Sequence, residues 1–139
     1  MIELLDRNKN EIQINELSPL TWAYVGDSVF ELYVRTYLVE NTKLKPHELH
    51  IEAIKYVKAD NQAYIVKKLI DEELNDEEKE IVRRGRNTEN HHLPKNAKPE
   101  DCMYSTAFEA LIGYLYLTKK DERVKELIEK SINIRNQME

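Results

Sequence analysis

The chain has 139 residues, of which 41% are hydrophobic and 34% are charged. This length and composition fit one globular domain with its own core and leave no room for a second domain of ordinary size. Its formal charge of −5 argues against a strongly basic nucleic-acid-binding protein, although the basic residues between positions 83 and 98 can form a local patch. The single cysteine, Cys102, excludes an internal disulfide bond and a cysteine-based zinc site, so a bound metal would need oxygen or imidazole ligands.

We do not expect the N-terminal segment to be a targeting signal. Its first 17 residues carry charges throughout and contain no apolar run of signal-peptide length. No other segment approaches the roughly 20 apolar residues that a membrane-spanning helix needs. We therefore expect a cytoplasmic protein without a membrane partner, and we interpret residues 1–16 as an N-terminal extension of a single domain, residues 1–139.

Turn and cap residues divide the rest of the chain into five predicted helices. Proline is favoured in the first helical turn, and Ser, Asn and Asp cap helix N-termini, which marks starts at Ser18, Pro46 and Asn75. No segment alternates apolar and polar residues over the length of a strand, and three glycines are too few for a turn-rich β protein. The pattern predicts an all-α fold with helices at about 18–39, 46–70, 75–84, 100–118 and 121–135, and one long connection at 85–98.

The first helix places an acid at the border of an apolar surface. Most of its circumference is apolar, so we expect the helix to be largely buried. A carboxylate half-enclosed by apolar groups needs a partner, because burial of an isolated charge is costly. Asp27 is in this position, and its neighbours on the helical wheel are Leu20, Ala23, Val34 and Leu38.

The fourth helix repeats this arrangement. Residues 107–117 contain one charge, Glu109, and small residues border it on its own face. Gly26 lies beside Asp27, and Gly113 lies one turn after Glu109, although a glycine inside a helix costs about 1 kcal/mol relative to alanine. A close crossing of the two helices at the two carboxylates is the simplest steric reason for these glycines.

Two interpretations of the acidic pair are open. Each acid could be neutralised in a buried salt bridge, Asp27 by Arg35 or by a lysine. Alternatively, two acids on two buried helices supply the ligands that a hard cation such as Mg²⁺ prefers, with water and phosphate oxygens completing its coordination. We favour a metal site for phosphate chemistry, in which Asp27 and Glu109 bind Mg²⁺, or Mn²⁺ in its place. No Ser/His/Asp or Cys/His grouping competes with this site.

The same residues resemble the motifs of a known family. Residues 24–32, Tyr-Val-Gly-Asp-Ser-Val-Phe-Glu-Leu, look like the signature helix of ribonuclease III, and residues 108–113, Phe-Glu-Ala-Leu-Ile-Gly, look like its second acidic helix. The resemblance extends from Leu17 to Ile134. Because no room remains for a double-stranded-RNA-binding domain, the chain is most similar to the Mini-ribonuclease III subfamily, which residues 83–87 and 105–109 also resemble.

This resemblance implies an α-helical homodimer that cleaves double-stranded RNA with divalent metal ions, one active site per subunit, and leaves 5′-phosphate and 3′-hydroxyl ends. The implied substrate is the precursor of large-subunit (23S) ribosomal RNA. Asp27 and Glu109 match catalytic metal ligands of the family, whereas Glu31 matches a signature position that does not bind metal. Two further family carboxylates are replaced by Ala23 and Thr106, which leaves the number of bound metal ions open.

Basic residues at the start of the long connection are candidate RNA contacts. Arginine and lysine bind phosphates, and asparagine can reach the 2′-hydroxyls of A-form RNA. The alternative is a solvated cationic helix end that complements the helix dipole. His91 and His92 are interpreted as a solvated pair rather than as zinc ligands. We predict an RNA-binding set of Arg83, Arg84, Arg86, Asn87 and Lys95.

Two other functions remain open. One is a non-catalytic dimeric RNA-binding or ribosome-associated protein of the same fold, motivated by Ala23 and Thr106. The other is a helical interaction module in which the acids are structural. The presence of both Asp27 and Glu109 favours the nuclease. We also expect the first and fourth helices to meet those of a second subunit across a two-fold axis, because one small domain cannot cover their apolar surface.

Overall fold

The computed structural model describes residues 5–89 and 95–138. Within these ranges the chain forms seven α-helices and no β-strand, which confirms the predicted all-α class. No described helix combines the length and the apolar character needed to cross a membrane. The helices are α1 (Glu11–Asn15), α2 (Pro19–Asn41), α3 (Pro46–Val57), α4 (Ala59–Glu72), α5 (Asp76–Arg86), α6 (Pro99–Leu117) and α7 (Asp121–Asn136).

Local capping explains where several helices begin. Asn10 and Gln13 exchange side-chain and backbone hydrogen bonds at the start of α1, and Asn75 and Glu78 do the same at α5. The Ser18 hydroxyl accepts a backbone hydrogen bond at the start of α2. Prolines occupy the first turns of α2, α3 and α6. The start signals read from the sequence are therefore confirmed.

The second predicted helix is two helices, so the prediction of one continuous segment is wrong. The extended backbone of Lys58 (φ −60°, ψ 143°) separates α3 from α4. The Lys55 carbonyl in the last turn of α3 accepts hydrogen bonds from Asn61 Nδ2 at 2.5 Å and from Arg135 Nε at 2.8 Å. One of these donors lies on α7, far along the chain, and neither proline nor glycine marks the break.

The described part of the N-terminal segment packs on the domain and contains a helix, α1, that the sequence analysis did not predict. Ile14 is buried, and its carbonyl accepts a hydrogen bond from Trp22 Nε1 at 2.8 Å. Arg7 forms two hydrogen bonds, of 2.7 and 3.0 Å, with the Asp121 carboxylate at the start of α7. This segment therefore contributes to the core of the domain.

Helix α6 lies at the centre of the fold. It packs against α2, α4, α5 and α7, and most of its residues are buried. Two edge-to-face aromatic pairs join it to α2, Trp22 with Tyr114 and Phe30 with Phe108, at centroid distances of 5.1 and 4.8 Å. Helices of the same chain cover most of the apolar surface of α6, so the reason given for its contact with a second subunit does not hold for most of this helix.

An ion-pair network fixes α5 against α7. Arg123 donates two hydrogen bonds of 2.8 Å to the buried Glu78 carboxylate and further bonds to the side chain and backbone of Glu73. Although burial acts in the opposite direction, the hydrogen bonds from Arg123 lower the pKa of the Glu78 carboxyl. This network holds the start of α5, whose other end carries the candidate RNA contacts.

Candidate active site

The two candidate acids meet where α2 crosses α6. A Cβ atom added at Gly26 would lie 1.8 Å from the carbonyl oxygen of Glu109, and one added at Gly113 would lie 1.8 Å from the carbonyl oxygen of Trp22. The two backbones therefore touch, and no side chain larger than hydrogen fits at either glycine. This contact brings Asp27, which follows Gly26, beside Glu109. The close crossing predicted from the glycines is confirmed.

The two acids differ in exposure. Glu109 is partly buried, whereas Asp27 is exposed, so the expectation of a half-enclosed Asp27 is wrong. Val34 and Leu38 lie on the same side of α2 and are buried, because α3 packs against the later part of that helix. The pair is therefore accessible to solvent and to ligands from the side of Asp27.

Glu109 lies in a strongly acidic environment. Burial, the charge of Asp27, a hydrogen bond with Asp27 and the charge of Glu31 together raise the pKa of Glu109 to about 9. The amide group of Gln62 counteracts part of this increase. In the protein alone, the Glu109 carboxyl therefore keeps its proton at neutral pH. A carboxyl that keeps its proton beside a second acid lacks a neighbouring positive charge, and this fits a cation-binding site.

Among the described residues, no basic side chain neutralises the pair. Arg35, the partner considered for Asp27, forms its ion pair with Glu31 at 3.1 Å. Across residues 5–89 and 95–138, neither Asp27 nor Glu109 takes part in an ion pair. The structure therefore gives no support to the interpretation of these acids as members of a salt bridge.

Few of the described side chains near this pair could act as metal ligands. The described residues contain no group of three or more His, Cys, Asp or Glu that could hold a metal ion. Ala23 and Thr106, which replace two family carboxylates, are 7% and 8% exposed and pack in the interior. Among the described residues, Asp27 and Glu109 are the pair of acids in contact that could bind a cation here. Water and phosphate oxygens would complete the coordination of an ion such as Mg²⁺.

The structure adds Gln62 and Ser105 to the site, and neither was identified from the sequence as part of it. Gln62, on α4, is buried and faces Glu109, and its Oε1 accepts a hydrogen bond from Ser105 Oγ at 2.5 Å. One signal was available. Gln62 stands where helical spacing with Ile65 and Leu69 predicts an apolar residue, so a lone amide interrupts the buried face of α4.

Of the predicted RNA-binding residues, Arg84 is turned toward the interior of the protein. Its guanidinium lies over the Trp22 ring at 4.6 Å from the centroid and donates a hydrogen bond of 3.1 Å to the Asn15 carbonyl. This side chain connects α5 to α1 and α2. Its contacts are therefore those of a residue that stabilises the fold.

Arg83, Arg86 and Asn87 lie at the outer end of α5. Arg83 is exposed and forms two hydrogen bonds with Glu80. Arg86 is partly buried; it donates to Asn87 Oδ1 at 3.2 Å and to the Tyr104 hydroxyl at 3.4 Å. These three residues share one end of a helix and could contact a single phosphate backbone.

Lys95 is exposed and lies in a second basic group. Together with Lys58 and Lys98 it lines a surface cavity at the N-termini of α4 and α6, where Asp60 and Asp101 also contribute. Helix N-termini favour anions such as phosphate. His91 and His92, interpreted above as a solvated pair, lie outside the described residues.

Comparison with known proteins identifies the family. The family model of the Ribonuclease III domain matches residues 20–120, which include the α2–α6 crossing and both acids. The chain belongs to the ribonuclease III family. As a member it is an endoribonuclease; the family acts on double-stranded RNA and generally depends on divalent metal ions.

Within the ribonuclease III family, the chain is similar to proteins named Mini-ribonuclease 3. The protein of this name from Staphylococcus aureus is 44% identical over 131 residues, which cover 94% of this chain and 98% of the relative. The one from a Thermoanaerobacter species is 47% identical over 118 residues, covering 85% and 82%. A crystal structure of a Fusobacterium nucleatum protein superposes with a TM-score of 0.78 at 31% identity, covering 90% of this chain and 98% of that one.

The raised pKa of Glu109 predicts how Glu109→Gln changes stability. Burial of a carboxyl whose pKa rises from 4.5 to about 9 leaves folding stability intact below pH 4.5 and lowers it as the pH rises toward 9. Glutamine removes this loss. Without divalent metal, Glu109→Gln should therefore melt at the wild-type temperature near pH 4.5 and on the order of a few degrees higher near pH 9.

Differential scanning calorimetry in EDTA across this pH range measures the effect. Glu40→Gln, an exposed acid on α2, is the matched control and should follow wild type at every pH. A Glu109→Gln protein that becomes less stable than wild type as the pH rises would show that a buried cation depends on this carboxylate.

Proposed function

We propose that this protein hydrolyses phosphodiester bonds in double-stranded RNA with Asp27 and Glu109 as the ligands of Mg²⁺, or of Mn²⁺ in its place. The observation that carries the proposal is the contact of these two acids at the α2–α6 crossing, without a basic partner among the described residues. When bound, the ion would act as a Lewis acid and activate water for attack on phosphorus. Cleavage would leave 5′-phosphate and 3′-hydroxyl ends.

The two acids have different roles in this proposal. Asp27 is exposed and can approach the RNA backbone, whereas Glu109 is partly buried and anchored on the central helix. The glycine contact fixes the distance between their helices, so both side chains are positioned before RNA binds. Pre-positioned ligands need little rearrangement when charge develops on the phosphate.

For RNA binding we propose the exposed end of α5 with Arg83, Arg86 and Asn87, together with Lys95. Arg84 is left out of this set because its guanidinium already stacks on Trp22. Phosphate contacts of this kind position a duplex without reading its sequence. A small basic surface also explains how a chain with a net charge of −5 could bind RNA.

We propose a homodimer that uses the outer face of α2. Tyr24 and Leu32 on this face are 80% and 43% exposed, and with Val25, Val29 and Tyr33 they form an apolar surface next to Leu5 and Tyr116. Apolar surfaces of this kind mark interaction sites. A second copy would give one active site per subunit, so that each could cut one strand of a duplex.

For the substrate we propose the precursor of 23S ribosomal RNA. The support is the similarity to Mini-ribonuclease 3 proteins over nearly the full length of the Staphylococcus aureus relative. Long precursor duplexes offer the A-form geometry that proteins recognise through phosphates and 2′-hydroxyls.

Cleavage of a long RNA duplex with and without Mg²⁺ tests the proposed reaction. If the two acids bind the ion, Asp27→Asn and Glu109→Gln should each reduce the cleavage rate by orders of magnitude, because an amide is a weaker ligand for a hard cation. Folding should survive, as checked by melting temperature. Glu40→Gln, an exposed acid on α2, is the matched control. Variants that still cut at nearly the wild-type rate would remove both acids from the mechanism.

The salt dependence of RNA affinity tests the binding surface. Each phosphate contact that is lost should reduce the slope of log affinity against log salt by about 1. We expect the double variant Arg83→Gln/Arg86→Gln to bind RNA more weakly and with a flatter slope. Arg84→Gln should instead lower the melting temperature and keep the slope. Lys125→Gln, an exposed lysine on α7, is the neutral control, and an unchanged slope in the double variant would locate the RNA surface elsewhere.

Light scattering tests the dimer. Tyr24→Asp and Leu32→Asp should shift the protein from dimer to monomer at micromolar concentration, because a buried unpaired carboxylate opposes association. Ile12→Asp, at an exposed apolar position on α1, should leave the dimer unchanged. A wild-type protein that is already a monomer would exclude this interface.

A further inference from the structure

Gln62 is a buried amide in a position that packing alone does not explain. The side chain is 1% exposed and shares the buried face of α4 with Ile65, Val66 and Leu69. Its Oε1 accepts the hydrogen bond from Ser105 Oγ. Ser105 lies one helical turn before Glu109 on the same face of α6. The Gln62 amide therefore lies opposite the part of this face between Ser105 and Glu109.

The other half of this amide makes no hydrogen bond of normal geometry among the described residues. Among the described residues, two buried side-chain polar atoms make no hydrogen bond, Gln62 Nε2 and Arg7 Nε. The Arg7 guanidinium is otherwise satisfied by Asp121 and by the Tyr116 carbonyl. Buried polar atoms in folded proteins are nearly always paired, so a free donor needs an explanation. Gln62 Nε2 belongs to an amide that faces the Glu109 carboxyl.

The hydrogen bond from Ser105 fixes which way this amide points. The hydroxyl donates to Oε1, so the oxygen is held on the Ser105 side and Nε2 is directed away from it. A carboxylate that binds a cation through one oxygen still needs a donor for the other, and such outer hydrogen bonds orient metal ligands. Gln62 Nε2 can supply this donor from inside the protein.

We propose that Gln62 is a positioning residue that donates from Nε2 to the Glu109 carboxylate and holds it in the orientation that binds the divalent cation, with Ser105 fixing the amide. This inference rests on the proposed function. The described residues contain no group of three or more potential metal ligands, so the ion would depend on the orientation of each of the two acids, and this gives Gln62 its importance.

Gln62→Met tests the role, because methionine has nearly the same shape and lacks the amide. Isothermal titration of the RNA-free protein with Mg²⁺ should show an affinity lower by about 10- to 100-fold, the usual effect of losing such a hydrogen bond. The kcat for duplex cleavage should fall, KM for RNA should stay at its wild-type value, and high Mg²⁺ should restore the rate. The melting temperature should be unchanged or higher, since an unpaired buried donor is removed.

Two further variants separate positioning from packing. Ser105→Ala should also weaken Mg²⁺ binding, but less than Gln62→Met does, because the Gln62 amide is still present and only its hydrogen bond from Ser105 is lost. Ser131→Ala removes a buried hydroxyl on α7 that donates to the Leu127 carbonyl at 2.6 Å, and should leave Mg²⁺ affinity unchanged. If Gln62→Met fails to fold, Gln62→Asn and Ser105→Ala provide the same test, and wild-type Mg²⁺ affinity in both overturns the inference.

The outcomes also distinguish this inference from the proposed function. A wild-type protein that binds Mg²⁺ and cuts duplex RNA, beside a Gln62→Met protein with unchanged Mg²⁺ affinity and kcat, overturns the role of Gln62 alone. A wild-type protein that neither binds Mg²⁺ nor cuts RNA overturns both.

Discussion

The contact between the backbones of α2 and α6 is the constraint on which the rest of the structure depends. Two helices can approach this closely only where both lack a side chain, and Gly26 and Gly113 provide that gap on the two sides of the crossing. The cost of glycine within a helix, about 1 kcal/mol at each position, is offset by the aromatic pairs that close around the crossing. The acids adjoin these glycines, so the packing of the core and the geometry of the site share one cause.

This arrangement also explains why the two acids are unequal. Helix α6 packs against helices of its own chain, and at the crossing Glu109 is partly buried and keeps its proton in the protein alone. A smaller share of the residues of α2 is buried, and Asp27 remains in contact with solvent. At such a site a phosphate can approach a bound ion from the solvent side, next to Asp27, while Glu109 would bind the ion from the interior side. Gln62, on α4, would support Glu109 from that interior side through its amide.

Around the site, similar residue types serve different purposes according to the direction in which they point. Three arginines close together on α5 divide between the interior and the surface, because successive helical positions turn by about 100°. Arg84 stacks on Trp22 and supports the fold, whereas Arg83 and Arg86 lie toward the outer end of the helix. Gly85 lies between them, and a Cβ atom there would lie 2.9 Å from the Ala107 Cα, so α5 rests directly on α6. The basic end of α5 is therefore held at a fixed distance from the helix that carries Glu109.

The sequence by itself determined the starts of α2, α3, α5, α6 and α7, the crossing and the pair of acids. Caps such as Asn75 with Glu78 involve neighbours three residues apart, and glycines in apolar helices indicate close contact wherever they occur, so local reading was sufficient. The family motifs extended that reading to RNA cleavage. Only the tertiary structure decided that α3 and α4 separate at Lys58, that Asp27 is exposed, that Arg84 faces Trp22 and that Gln62 faces Glu109. Each of these depends on an element distant in the chain, because exposure and side-chain partners are set by what packs against a helix and not by the helix's own pattern.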